Sequence, residues 1–257
     1  MLIFLPDLNI RPFSKNFVFT NFVDESLLWR ISKISRSFVT FNVNDRWIES
    51  GFVSLLKTIP NIKYNIVISG DTSKIRIKNI KQLNPQKVGY VVNEFVDLQK
   101  VDELNMLKPH SVFLIFKRIP EDFELFAITQ GKIREIVVIL DVQSAVEFLS
   151  GIEKFNGFRV ILKPVQKEAF ENLCRSYITK DLIKIVFDSR ILDIEHSFDD
   201  IVKDCKDKII YEISSSTYYN NYIKFIKSNI TELNIHYDTY AKSRRDDVIE
   251  WILKTDP

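Results

Sequence analysis

Phe158-Arg-Val-Ile-Leu-Lys163 decides the fold. It is a short apolar run that ends in a charged residue, and a helical pattern follows it. Tyr64-Asn-Ile-Val-Ile-Ser69, Val88-Gly-Tyr-Val-Val92, Val112-Phe-Leu-Ile-Phe116 and Ile136-Val-Val-Ile-Leu140 precede it in the same style. Ile183-Lys-Ile-Val-Phe187, Ile209-Ile-Tyr-Glu-Ile213 and Leu233-Asn-Ile-His-Tyr237 follow. Successive runs begin roughly 24 residues apart, the mark of a repeated supersecondary unit. Strands apolar on both faces, alternating with helices, require a parallel sheet covered on both sides.

Counting strands selects the architecture. Eight lie between Tyr64 and Tyr237, and eight parallel strands can close into a barrel that leaves no edge. The expected fold is therefore α/β, a (β/α)8 TIM-barrel-like domain over residues 61–257. A βαβα extension over residues 1–60 packs on the barrel or completes it. An open doubly wound sheet and a leucine-rich solenoid are the competing architectures. In the extension, Leu2–Leu5 and Phe38–Val43 read as strands, and residues 24–34 and 45–57 as helices. Residues 11–22 read as a hairpin or loop. Among the later helices, residues 141–152 are expected to bury Val142, Ala145, Val146 and Leu149. Residues 166–178 are expected to bury Ala169, Phe170, Leu173 and Tyr177.

Composition narrows the function classes. The chain has 257 residues, 46% of them apolar, enough for a sizeable core. With 36 basic and 34 acidic residues the net charge is +2, so any basic face must be local. Cys174 and Cys205 are the two cysteines, without Cys-x-x-Cys spacing, which fits a reducing compartment and buried thiols. No stretch reaches the ~18 apolar residues of a membrane span, and the first residues lack the basic start of a signal peptide. A cytoplasmic location is expected. There is no Gly-x-Gly-x-x-Gly and no P-loop, and only 6 glycines, so no nucleotide or other cofactor is expected. His110, His196 and His236 lack metal-ligand spacing, and no metal is expected. Each reads as a core or surface histidine, with His236 facing either the lumen or the helix layer. Ser214-Ser-Ser-Thr217 reads as a strand exit and helix cap, because no Gly-x-Ser-x-Gly elbow surrounds it.

Barrel enzymes place their chemistry at the C-terminal ends of strands. Those positions here include Lys117, Asp141, Lys163 and Asp188. Lysines alternating with aspartates suit an imine-forming amine with carboxylate partners, or a metal. A TIM-barrel lyase or metal-dependent hydrolase is thus one reading of the chain. Strand exits carry polar groups whatever the function, so a barrel scaffold or viral protein without catalysis is another. A third feature is the stretch 237–245. Lys242, Arg244 and Arg245 stand beside Tyr237 and Tyr240, cations for phosphates and rings for unpaired bases.

From about residue 88 onward the order of segments resembles the TIM-barrel protein subunit of ribonuclease P, component 3. The segments are Ile136–Leu140, Arg159–Lys163 and Ile183–Asp188. Phe198, Asp199, Ile201 and Val202 follow, then Tyr211-Glu-Ile-Ser-Ser-Ser-Thr-Tyr-Tyr219. Arg244, Arg245, Asp247, Val248 and Ile249 are similar to the family's ending. The resemblance implies a non-catalytic, RNA-binding subunit of a ribonucleoprotein engaged in tRNA processing. It implies structured RNA and a protein subunit of the same assembly as partners, and Lys242, Arg244, Arg245, Tyr237 and Tyr240 as the RNA contact.

Overall fold

Ten parallel strands run side by side in sequence order, and the tenth returns to pair with the first. The computed structural model describes residues 14–20, 25–34, 37–42, 56, 58–59, 62–69, 74–107, 111–176, 181–189, 192, 198–202, 205–214 and 232–237. The strands are β1 (Ser14–Thr20), β2 (Ser37–Asn42), β3 (Tyr64–Ser69), β4 (Lys87–Val92) and β5 (Ser111–Phe116), then β6 (Glu135–Leu140), β7 (Arg159–Pro164), β8 (Ile183–Asp188), β9 (Ile209–Ser214) and β10 (Glu232–Tyr237). The described helices are α1 (Glu25–Ile31), α2 (Lys74–Leu83), α3 (Leu98–Asn105) and α4 (Asp122–Gln130), then α5 (Val142–Ser150), α6 (Lys167–Arg175) and α7 (Phe198–Val202). Phe17 faces Ile235 across one seam and Val39 across the other, so β1 is the strand that closes the cylinder.

The fold class is the expected α/β barrel; closure excludes an open sheet and a solenoid. The strand number differs from expectation. All eight runs between Tyr64 and Tyr237 are strands, and β1 and β2 from the first 60 residues join the same sheet. The segment read as a hairpin or loop contains β1. Its Phe17 and Phe19 alternate with Asn16 and Val18, a period of two that the surrounding phenylalanines obscure. The strand expected at Leu2–Leu5 and most of the helix expected at 45–57 lie outside the described residues.

Each strand has one parity facing the helices and one facing the lumen. On β6 and β7, Ile136, Val138, Leu140, Val160 and Leu162 face outward and are fully buried. Aromatic contacts knit this shell: Phe148–Phe155 at 4.7 Å, Phe170–Phe187 at 5.3 Å and Phe187–Tyr211 at 6.0 Å between ring centres. Ala169, Phe170 and Leu173 are buried on α6 as expected. On α5, Ala145 and Phe148 are buried, but Val146 is 56% exposed. One residue is a 100° turn of a helix, which carries Val146 off the stripe that Ala145 and Phe148 define.

Local polar groups fix where the helices start. Asp97 caps α3 by accepting from Lys100 N at 2.8 Å, and Asp141 caps α5 by accepting from Ser144 N at 2.8 Å. Glu124 in α4 accepts from Glu121 N and Val96 N, both at 2.9 Å, and from both Arg118 Nη atoms at 2.6 and 2.9 Å. It has no exposed surface. Burial pushes its pKa up, and the Arg118 and amide hydrogen bonds outweigh that and hold it below the usual carboxylate range. Glu124 thereby fastens the exits of β4 and β5 to α4.

Candidate functional site

The lumen-facing parity of the strands is half apolar and half polar. An eight-strand barrel is just wide enough for its inward side chains to fill, and barrel diameter grows with strand number. Ten strands open the interior. A cavity of about 490 Å3 remains, lined on one side by Ile115, Val137, Ile139, Ile161, Val186 and Ile210. Val137, Ile139 and Ile161 are partly exposed, whereas the outward residues between them are buried. Not every position is hollow. Gly89 on β4 lies opposite Phe113, and a Cβ there would sit 2.4 Å from the Phe113 ring, so the glycine is what lets this ring occupy its corner of the barrel.

The N-terminal mouth carries charges in pairs. Lys87 Nζ meets Glu135 at 2.5 Å, and Arg159 lies 3.8 Å from Glu135 and 4.0 Å from Glu232. These side chains come from the first residues of β4, β6, β7 and β10, and they tie those strand starts together across the lumen. Burial first, and the Glu135 charge after it, push the Glu232 carboxyl up; Arg159 works against them.

The other cluster lies in the C-terminal half. Lys163, near the end of β7, points inward with Arg159 and Ile161. Its Nζ is 2.6 Å from Glu212 Oε2 and 3.7 Å from Asp188 Oδ2. Asp188 closes β8 and is fully buried; Glu212 on β9 is 6% exposed. His236 on β10 brings Nε2 to 3.1 Å from the same Glu212 oxygen, at hydrogen-bond separation without hydrogen-bond alignment. Asn234 Nδ2 donates to Glu212 Oε1 at 3.3 Å. Burial raises the Glu212 pKa, but the His236 contact and the Lys163 charge prevail and hold it well below the usual range. The result is a lysine at the edge of a cavity with two carboxylates and an imidazole around it.

Of the four strand-end residues expected to carry catalysis, the structure brings Lys163 and Asp188 together. Asp141 is engaged as the cap of α5, where Ser144 Oγ also donates to it at 2.6 Å. Lys117 is exposed just past β5. Glu212, Asn234 and His236 were missed as site residues because they precede the strand exits. The available signal was parity: Glu212 shares the lumen-facing phase of Ile210, and a charge in the middle of an apolar strand marks an inward polar position. Tyr237 ends β10 and its side chain is outside the described residues, as are Tyr240, Lys242, Arg244 and Arg245. Among the described residues no three His, Cys, Asp or Glu side chains are grouped to hold a metal ion. Among them, too, no helix is long and apolar enough to cross a membrane.

No family model matches the chain, and no curated protein does. Solved structures similar to it include two aldolases. One is an HpcH/HpaI aldolase from Desulfitobacterium hafniense DCB-2, with a TM-score of 0.42, 10% identity, and coverage of 95% of this chain and 94% of that one. The other is the YdjI aldolase from Escherichia coli K12, with a TM-score of 0.40, 12% identity, and coverage of 94% and 86%. A likeness this distant carries no argument about chemistry; the barrel is read from its own strand pairing. The resemblance to the ribonuclease P subunit is corrected here. No family model and no curated protein matches the chain, so neither supports it. The RNA-binding and tRNA-processing roles drawn from it fall away. The resemblance rested largely on short β-strand segments, and alternating Ile, Val and Leu before a charge is what any covered parallel strand looks like.

Proposed function

We propose that this chain is a lyase that acts on a small carbonyl compound held in the barrel lumen, with Lys163 as the imine-forming amine. One observation carries the reading: Lys163 Nζ opens onto the cavity while Glu212 lies 2.6 Å away and Asp188 3.7 Å away. A lysine amine must lose a proton before it attacks. Glu212 holds the amine against the lumen, and the imidazole of His236, 3.1 Å from the same carboxylate oxygen, is the base beside that pair.

Lys163 Nζ bonds to the carbonyl carbon, and the carbonyl oxygen leaves as water after taking up two protons. The resulting iminium is cationic, and the Asp188 and Glu212 carboxylates face it in surroundings that Ile139, Ile161 and Ile210 make apolar. The bond between the α and β carbons breaks, its electron pair moves into the iminium, and an enamine forms. The β-hydroxyl gives up its proton, and its oxygen becomes the carbonyl of the departing fragment. Protonation of the enamine and hydrolysis of the imine restore the lysine.

The test is reductive trapping. The protein is incubated with pyruvate or glyceraldehyde and borohydride, and lysine adducts are located by peptide mass spectrometry. Lys163 is expected to be modified about tenfold more than Lys117, an exposed lysine that serves as the internal control, as an amine placed beside a proton acceptor requires. Lys163→Arg should abolish that excess. Equal labelling of Lys163 and Lys117 would remove the proposal.

A further inference from the structure

The cavity has a second wall, and its chemistry differs from the aliphatic one. Asn234, Asn16, Thr40 and Asn65 come from β10, β1, β2 and β3, adjacent strands around the barrel, and all four line the cavity. They form one chain of hydrogen bonds. Asn65 Nδ2 donates to Thr40 Oγ1 at 3.4 Å, and Thr40 Oγ1 donates to Asn16 Oδ1 at 2.9 Å. Asn16 Nδ2 donates to Asn234 Oδ1 at 3.1 Å, and Asn234 Nδ2 donates to Glu212 Oε1 at 3.3 Å. The direction is set from one end. Ionised Glu212 can only accept, so Asn234 must present its amide nitrogen, and each earlier member is turned in sequence.

An asparagine has two amide hydrogens and these bonds each use one. Asn16, Asn65 and Asn234 therefore keep a second donor on the wall of an open lumen. None of the four is charged. The lumen lysines, Lys163 and Lys87, already face Glu212 and Glu135. A phosphorylated ligand would meet no partner for its charge on this wall, whereas hydroxyl groups would meet a row of donors and acceptors. Burying them without such partners would cost affinity.

We infer that Asn234, Asn16, Thr40 and Asn65 form the subsite for an uncharged, hydroxyl-bearing chain, whose hydrocarbon edge lies against Ile139 and Ile161. This rests on the reading of the lumen as the substrate site and specifies its substrate class: a polyhydroxylated carbonyl compound without phosphate.

The experiment separates the two claims because it needs no imine. Saturation-transfer NMR on the full chain compares a four-carbon tetrol with 1-butanol, in the wild type and in Thr40→Val and Asn16→Leu. The tetrol is expected to bind more tightly than 1-butanol, and each substitution to weaken it about fivefold, the value of one neutral hydrogen bond. Butanol binding should be unchanged. Thr40→Val keeps the shape of the side chain, so folding is preserved if Asn16→Leu proves unstable. Lack of preference for the tetrol, or a preference that Thr40→Val leaves intact, would overturn the inference even where Lys163 is trapped. Tetrol binding that Thr40→Val weakens, without trapping of Lys163, would keep this subsite and discard the lyase.

Discussion

Glu124 and Glu212 are both buried carboxylates held ionised below their ordinary range, and they serve opposite ends. Glu124 sits in the shell between strand exits and α4. Its partners are a two-pronged arginine and two backbone amides, all fixed in place. Such an arrangement offers no neighbouring group that gains and loses protons; it fastens elements together. Glu212 sits in the lumen. Its partners are Lys163 on β7 and His236 and Asn234 on β10, side chains around a cavity. Two of those groups can exchange protons with it. Burial therefore does not distinguish a structural carboxylate from a reactive one. The titratable character of the partners, and open space beside them, does.

The sharpest way to test that contrast is to remove each cation. Arg118→Met leaves Glu124 with no charge partner in a closed site, and about 3 kcal/mol of stability should be lost. Lys163→Met leaves Glu212 beside His236 and a cavity that admits water, and the loss should be nearer 1 kcal/mol. Urea denaturation measures both. Equal losses would mean that the lumen is as closed as the shell.

A matched pair of truncations on β7 probes the same difference by packing alone. Leu162→Ala removes a fully buried outward side chain and should cost about 3 kcal/mol. Ile161→Ala removes a neighbour that already borders a cavity and should cost about 1 kcal/mol, because little new void is created. If the two variants unfold at the same denaturant concentration, the interior is filled.

The smallest effects come from pH. The depressed pKa values of Glu124 and Glu212 contribute stability that is complete above the unfolded value of ~4.3 and is lost as pH falls below it. Glu232 has the opposite sign. Its raised pKa favours the protonated form in the fold, a contribution present below the unfolded value and lost as pH rises through the folded one. Thermal melts should show Tm falling below about pH 4, less steeply in Glu212→Gln. At pH 7 Glu232→Gln should melt slightly higher than the wild type, and the two should converge in acid. A Glu232→Gln variant that melts lower at pH 7 would mean that the Arg159 contact dominates there.

Much of the shell was legible in the sequence. Short apolar runs at even spacing, most of them ending in a charge, marked eight strands and their outward faces. The helix stripes on α6 followed from the same periodicity, whereas on α5 a one-residue error in phase misassigned Val146. The lumen was less legible. Reading strand exits found Lys163 and Asp188, and it also found Asp141, whose carboxylate caps a helix. Glu212, His236 and Asn234 were passed over because a polar residue inside a strand has two possible faces, and only the pairing of ten strands assigns all of them at once.

The sequence by itself determined the parallel, helix-covered sheet, because strands that are apolar on both faces cannot be stable any other way. The tertiary structure decided how many strands close the barrel, and through that number the radius of the cylinder and the room inside it. Local periodicity sets the character of each strand; the strand count sets a diameter, and a diameter belongs to the whole closed ring. Lys163, Glu212 and His236 meet because they lie on that ring's inner surface, on strands separated in sequence by intervals that no local pattern encodes.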